Sequence, residues 1–271
     1  MTQHPTDHGE ALLSLLVRRS SFLEALAERP RDKRTLAEDL ETSRSTVDRV
    51  LRDLMDAGFV RHTEGVYELT LLGRCLLEAF GRYERTIDGV SSAQELLEML
   101  PPDAPIDPVF FAGARVHTPS PEIPDSVIQQ LFASVKDSST FYGIAPVALV
   151  GQLRAFTEAA NDGGTTVEML IADELFWKLV DGPDSREVIV DQVERESANI
   201  YRGEVPFNFG LWVVDDEAGI AVYTDSGIGG LALNETDEAI SWARDLFESL
   251  RKDAELVTVS SIDEQSPGET E

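Results

Sequence analysis

Residues 43–60, SRSTVDRVLRDLMDAGFV, place three hydroxyls (Ser43, Ser45, Thr46) and three guanidiniums (Arg44, Arg49, Arg52) within ten positions. Hydroxyls and guanidiniums together make a polyanion-binding set, in which short donors approach a phosphate closely and a planar fork grips a base edge or a phosphate through two hydrogen bonds. The spacing sorts them. Val47, Val50, Leu51 and Leu54 fall at i, i+3, i+4 and i+7, which is one face of a helix. Ser45, Arg49 and Arg52 share the opposite face, flanked by Arg44, Thr46 and Asp48. A helix divided in this way can lock one side into a small core and present the other to a DNA major groove. Arg44 or Arg49 can then reach a guanine edge, Arg52 a phosphate, and the free amides at the helix start suit phosphate oxygens.

Such a helix needs a scaffold, and the flanking sequence supplies one. Residues 9–28 carry Leu12, Leu15, Leu16, Phe22, Leu23 and Leu26 at helical spacing, and Pro30 stops the run. Asp32 can cap a short helix over 33–40, whose first turn brings Lys33 and Arg34, with Arg31 just before them, to the side that crosses a DNA backbone. Ser43 can cap the helix 44–57, and Gly58 stands where a left-handed residue closes it. Two extended runs, 59–63 and 66–69, flank Glu64-Gly65, a favourable hairpin turn, and put Arg61 and His62 on or beside the loop. Thr70 then caps a further helix. Helix, helix, helix, hairpin and helix within about 85 residues is the winged helix-turn-helix order.

Charge sets this segment apart. The 271-residue chain carries a formal net charge of −27. Residues 1–85 hold 13 Lys and Arg against 15 Asp and Glu, and the rest hold 10 against 35, so the parts carry −2 and −25. Only 4 of the 23 basic residues are lysines. An acidic, lysine-poor surface resembles that of salt-adapted haloarchaeal proteins, in which carboxylates hold water and cations and molar salt screens their repulsion within about 3 Å. The near-neutral first third is the exception to be explained. DNA contact involves a few side chains at close range, so a local basic face can operate on an acidic molecule. In high salt, counterion release adds little, and short hydrogen bonds and shape must supply the affinity.

Other function classes find little support. Apolar runs stay far below the 18 residues of a membrane span, the first residues lack the pattern of a secretory signal, and the cytoplasm is the simplest compartment. The single cysteine, Cys75, cannot form an internal disulfide; set among Leu71, Leu72, Leu76 and Leu77, it reads as a buried, inert thiol. No Cys/His cluster has metal-ligand spacing, and no metal or cofactor is expected. For an enzyme the second part is poorly equipped. His117 has no lysine two positions on, no G-x-S-x-G occurs, and GIGG (227–230) reads as a turn rather than a phosphate loop.

Beyond a weaker helix over 92–100, Pro101-Pro102 marks a boundary. Strand-like runs follow at 108–118, 139–146 and 165–172, with a meander over 209–235. They alternate with helices at 125–136 (capped by Asp125), 148–162 (ended by Gly163-Gly164), 173–180, within 185–203 and at 236–256 (capped by Thr236). This is an α/β pattern. The expected fold is an α+β winged helix-turn-helix N-terminal domain over 1–84, a linker or dimerisation helix over 85–104, an α/β mixed-sheet effector-sensing domain over 105–256 and a disordered acidic tail over 257–271.

The stretch KRTLAEDLETSRSTVDRVLRDLMDAGFVRHTEGVYELTLLG (33–73) resembles the winged helix of ArsR-like archaeal transcription regulators, and the following 150 or so residues resemble the effector domain of the haloarchaeal and methanogen filament-regulator type. The resemblance implies a sequence-specific regulator that binds double-stranded DNA, as a homodimer because a recognition helix usually needs a two-fold partner to read two half-sites. Metal-sensing relatives use paired cysteines or histidines, which this chain lacks. The duplex-facing set is Lys33, Arg34, Ser43, Arg44, Ser45, Thr46, Asp48, Arg49, Arg52, Arg61 and His62. The second part reads as a small-molecule sensor, with Arg115, His117, Tyr142, Phe209 and Trp212 as candidate contacts and Arg115 as a clamp for an anion. The alternative is a ligand-free scaffold for dimerisation or protein contact.

Overall fold

The computed structural model describes residues 5–119, 126–135, 138–148, 150–162, 164–225 and 227–264. Asp125 and Gly163, expected to bound two helices, lie outside the described residues. The chain divides into two compact units, residues 1–85 and 86–271. No described helix is long and apolar enough to cross a membrane.

In the first unit, helices α1 (Pro5–Glu28), α2 (Lys33–Asp39) and α3 (Arg44–Asp56) precede strands β1 (Val60–Thr63) and β2 (Val66–Leu69), and α4 (Leu71–Ser92) starts there. The hairpin is antiparallel, and Glu64 and Gly65 both take positive φ at its turn, the condition for a two-residue loop matched to strand twist. Arg31 exchanges two backbone hydrogen bonds with Tyr67, tying the α1–α2 connection to the hairpin. Thr70 Oγ1 accepts from the Gly73 amide and donates to the Gly58 carbonyl. Gly73 itself must be glycine, since a Cβ there would lie 2.2 Å from the Phe59 carbonyl oxygen. The core gathers Leu23, Leu36, Val47, Val50, Leu51, Leu54 and Phe59.

Cys75 is exposed, contrary to the expectation of a buried thiol. The inward line of α4 runs through Gly73, Leu76, Leu77 and Phe80, which leaves Leu71, Leu72 and Cys75 on the outer side.

The second unit holds an eight-stranded mixed sheet in the order β10-β6-β5-β4-β7-β8-β9-β3. Its strands are β3 (Arg115–His117), β4 (Thr140–Ala145), β5 (Thr166–Ala172), β6 (Ala198–Gly203), β7 (Phe209–Val214), β8 (Glu217–Thr224), β9 (Gly227–Asn234) and β10 (Glu255–Leu256). Pairing is parallel for β4-β5 and β5-β6 and antiparallel elsewhere. The helices are α5 (Gln94–Leu97), α6 (Ser126–Val135), α7 (Val150–Asp162), α8 (Asp173–Asp181), α9 (Pro183–Val193), α10 (Asp237–Arg251) and α11 (Val259–Glu264). α5 and α10 pack on one face, against Leu211, Val213, Ile220 and Val222. The other face carries Phe141, Val167, Trp212 and Leu231 in one cluster and Ile171, Ile189 and Ile200 in a second.

Three expectations are corrected by this architecture. The strand expected over 108–118 is a 3-10 turn, Pro108–Phe111, with a strand only at Arg115–His117. Phe110 and Phe111 are both fully buried within the turn, and Asp107 accepts from the Val109 amide to start it. GIGG is not a turn: Gly227–Asn234 is strand β9. Its glycines are required by crowding, since a Cβ on Gly229 would meet Met99 Sδ at 2.6 Å and one on Gly230 would meet Leu96 at 2.8 Å. The tail expected to be disordered from 257 instead forms α11, with Val257 and Ile262 buried and the Val257 amide bonded to the Ile200 carbonyl. Two well-spaced apolar residues and a Thr258 cap outweigh its acidic, polar composition. Residues 265–271 lie outside the described set.

Candidate nucleic-acid interface

The positioning of α3 starts from its cap. Ser43 Oγ accepts from the Thr46 amide at 3.1 Å, and the Ser45 and Thr46 hydroxyls each lie 2.9 Å from Ser43 Oγ. Three hydroxyls therefore cluster over the free amides of the first turn, where the helix dipole also favours an anion. At the far end Gly58, at φ +77°, turns the chain into Phe59.

Val47, Val50, Leu51 and Leu54 are at most 1% exposed. Burying a residue of this size contributes about 1.5–3 kcal/mol, so the rotational setting of α3 is firmly fixed. Arg44, Ser45, Arg49 and Arg52 remain exposed. Among the described residues, no ion pair involves Arg44, Arg49 or Arg52.

The other candidates are already partnered. Lys33 Nζ lies 2.6 Å from Asp48 Oδ1 and 5.8 Å from the Tyr67 ring centroid. Its hydrogen bond to Asp48 holds the ammonium above the usual lysine range. Asp48 thus braces α2 against α3. Arg34 pairs with Glu38 at 2.8 Å, and Arg61 with Glu68 at 2.9 Å across the hairpin. His62 stacks on Tyr67, with centroids 4.4 Å apart. Arg31 is 8% exposed and pairs with Glu28 and Asp39, so it is a structural cation.

In the second unit the five candidate ligand contacts do not converge. Arg115 Nη2 lies 2.9 Å from Glu217 and 2.8 Å from Glu235, so its charge is already met by two carboxylates. His117 is two residues away on the same edge strand, and its Nε2 is buried without a hydrogen bond among the described residues. Tyr142 lies on the α10 face, edge-on to Phe247 and under the Arg244 guanidinium at 4.8 Å. Phe209 is fully buried and stacks on Phe207 at 4.2 Å. Trp212 faces the other way and lines a hollow of about 120 Å³ between the sheet and helices α6 and α7. That hollow also takes in Phe132, Phe156 and Tyr223, none of which the sequence singles out. A usable signal exists in FYGIA, FGLW and EAGIA, three strands with a glycine facing the same side of the sheet. Among the described residues no cluster of three or more His, Cys, Asp or Glu is arranged to hold a metal.

Comparison with known proteins gives two family matches. Residues 124–253 match the model for the middle domain of methanogenesis regulatory protein FilR1, and residues 7–92 match that for the HVO_A0261 N-terminal domain. Among solved structures, the chain is similar to TrmBL2, described as an archaeal chromatin protein with a novel mode of DNA binding, at 15% identity and a TM-score of 0.42, covering 92% of this chain and 99% of that one. It is also similar to NucT from Helicobacter pylori at 9% identity and a TM-score of 0.43, covering 53% and 98%. The phospholipase D family member Nuc from Salmonella typhimurium gives 11% identity and a TM-score of 0.44, covering 54% and 98%. A search of curated proteins gave no match.

Proposed function

We propose that the protein is a transcription regulator that reads double-stranded DNA through the outer face of α3. The observation that carries this reading is the division of α3, with four apolar residues sealed in the core and three guanidiniums that have no ion-pair partner among the described residues left on the surface beside a hydroxyl-rich helix start. Arg44 and Arg49 are assigned to base edges and Arg52 to a phosphate. Lys33, Arg34 and Arg61 are assigned to the phosphate backbone, where each exchanges a carboxylate partner for a phosphate, and His62 lies beside the hairpin wing. The family match over 124–253 supports a regulatory role.

The working form is a homodimer. An apolar stripe along α4, through Leu72, Ala79 and Tyr83, together with Leu13 and Val17 on α1, is exposed and fits a two-fold partner. The second unit acts as the sensor of a small molecule, and its acidic surface fits a molecule working in concentrated salt.

The test is selection of binding sites from random duplexes, followed by gel shift with the selected and a scrambled duplex. Wild-type protein is expected to prefer the selected duplex, and Arg49→Ala to lose most of that preference while its circular dichroism is unchanged. Equal preference in the variant contradicts the assignment. Light scattering is expected to give twice the 29.8 kDa chain mass.

A further inference from the structure

The hollow beside Trp212 is a consequence of strand composition. Gly143, Gly210 and Gly219 lie on three adjacent strands and face the same side, with Gly143 and Gly219 both opposite Trp212. A Cβ on Gly219 would meet the Trp212 indole at 2.1 Å, and one on Gly210 would meet the Tyr223 hydroxyl at 2.7 Å. The centre of the sheet is thus bare backbone on this side. Aromatic rings lie flat on it and do not fill it, and the remaining space is about 120 Å³. An apolar cavity of about 150 Å³ holds a benzene-sized guest, so this space is on the scale of a single ring.

A second hollow of about 60 Å³ runs on beneath α7, and Leu153, Phe156 and Met169 line both. Among the described residues, none that lines either is charged. An ion would therefore lose its hydration with nothing in return, and the site selects against carboxylates and phosphates. Polar groups do reach this space: Thr157, whose hydroxyl donates to the Arg154 carbonyl, Gln192 and Tyr223. Gln192, on α9, is 5% exposed and lines the smaller hollow, and its carboxamide makes no hydrogen bond among the described residues. Tyr223 lines the larger one and its hydroxyl likewise has no partner among the described residues. Tyr223 keeps some accessible surface, yet burial of its phenol pushes the pKa up to about 12, so the hydroxyl stays protonated and can donate.

We propose that this space is a ligand site for one small, uncharged, largely apolar molecule, about one ring in size, held by Trp212 and Phe156 and oriented by hydrogen bonds from Tyr223 or Gln192. The proposal rests on the sensing role given to the second unit and specifies its ligand: a neutral aromatic or short aliphatic compound, not the anion that Arg115 first suggested.

The experiment titrates the full chain with toluene, p-cresol and benzoate, following tryptophan fluorescence and melting temperature. Toluene and p-cresol are expected to bind saturably and raise the melting temperature, p-cresol about five-fold more tightly through its hydrogen bond, and benzoate not at all at the same concentrations. Ala221→Leu, which extends a side chain into the space, is expected to abolish both. The double variant Tyr223→Phe with Gln192→Leu keeps the volume and is expected to bind toluene while removing the advantage of p-cresol; it decides the matter if Ala221→Leu does not fold. Absence of saturable binding by either neutral probe, equal binding by benzoate, or a p-cresol advantage that survives the double variant overturns the site. A gel shift with p-cresol present separates the two levels. Binding that leaves DNA affinity unchanged keeps the site and removes the sensing role, whereas a change in DNA affinity that persists in Ala221→Leu keeps sensing and overturns the site.

Discussion

Arginines on α3 and arginines of the second unit have the same chemistry and different consequences. Arg115 sits between Glu217 and Glu235, Arg202 between Asp173 and Glu255, and Arg251 against Glu248. Each is consumed by the acidic surface around it. Arg44, Arg49 and Arg52 occupy a unit with nearly balanced charge and carry no such partner among the described residues. An anion site is therefore identified by uncompensated charge and by geometry, not by residue type. In a chain of net charge −27 the proposed reading surface rests on that distinction together with the setting of α3.

The comparison can be broken most forcefully by disturbing what aims α3. Leu54→Ala removes a fully buried side chain from the smaller core and is expected to cost about 2–5 kcal/mol, lowering the denaturation midpoint and DNA binding together. Arg49→Ala leaves that core intact. It is expected to lose about 1–3 kcal/mol of specific affinity, read as a ten-fold or greater fall in the selected-over-scrambled binding ratio. Arg61→Ala should weaken binding to both duplexes alike and lower the salt slope by about one, because the residue is assigned to a phosphate and gives up Glu68 to reach it. Arg115→Ala is the counterpart in the second unit. The pair is half exposed, so stability should change by less than about 1 kcal/mol, and the DNA-binding ratio should not move.

The smallest expected effect concerns acid stability. Asp215 accepts from the Ser139 and Thr140 amides, and the Ser139 bond chiefly holds its carboxyl below the usual carboxylate range. A depressed folded-state pKa stabilises the protein above the ordinary aspartate value and loses that contribution as pH falls through the lower, folded value. Asp215→Asn should therefore lower stability slightly at neutral pH, where the contribution is present, and converge with the wild type in acid, which flattens the acid limb of a stability-against-pH curve.

The parts of this molecule legible in its sequence are those governed by local rules. Caps at Ser43, Thr70 and Thr236, the Glu64-Gly65 turn and the i, i+3, i+4, i+7 core line of α3 are each encoded within about ten residues, and each stands in the structure as the sequence predicts. Tertiary crowding is not legible. Gly229 and Gly230 look like turn residues because glycine usually is one, whereas here Met99 and Leu96 leave no room for a side chain. Phe110 and Phe111 look like strand residues, yet both are claimed by the core. Composition misleads at the tail, where Val257 and Ile262 dock despite acidic neighbours. For Cys75, proximity in sequence misleads, since leucines on either side of it along the chain point in different directions around a helix. For the candidate sites, the residue types on α3 are readable, but which of its neighbours are already paired with carboxylates is not. The hollow beside Trp212 depends on three strands meeting, and no single segment announces it.

The placement of α3 against a duplex can be measured directly. In a Cys75→Ser background, an iron chelate attached to Ser45→Cys generates radicals at the start of that helix, and end-labelled duplex carrying the selected site reports where they cut. Cleavage confined to a few base pairs at each half-site is the predicted result. A duplex that is bound but left uncut, or cut without regard to the selected site, would contradict the assignment of α3 as the reading element.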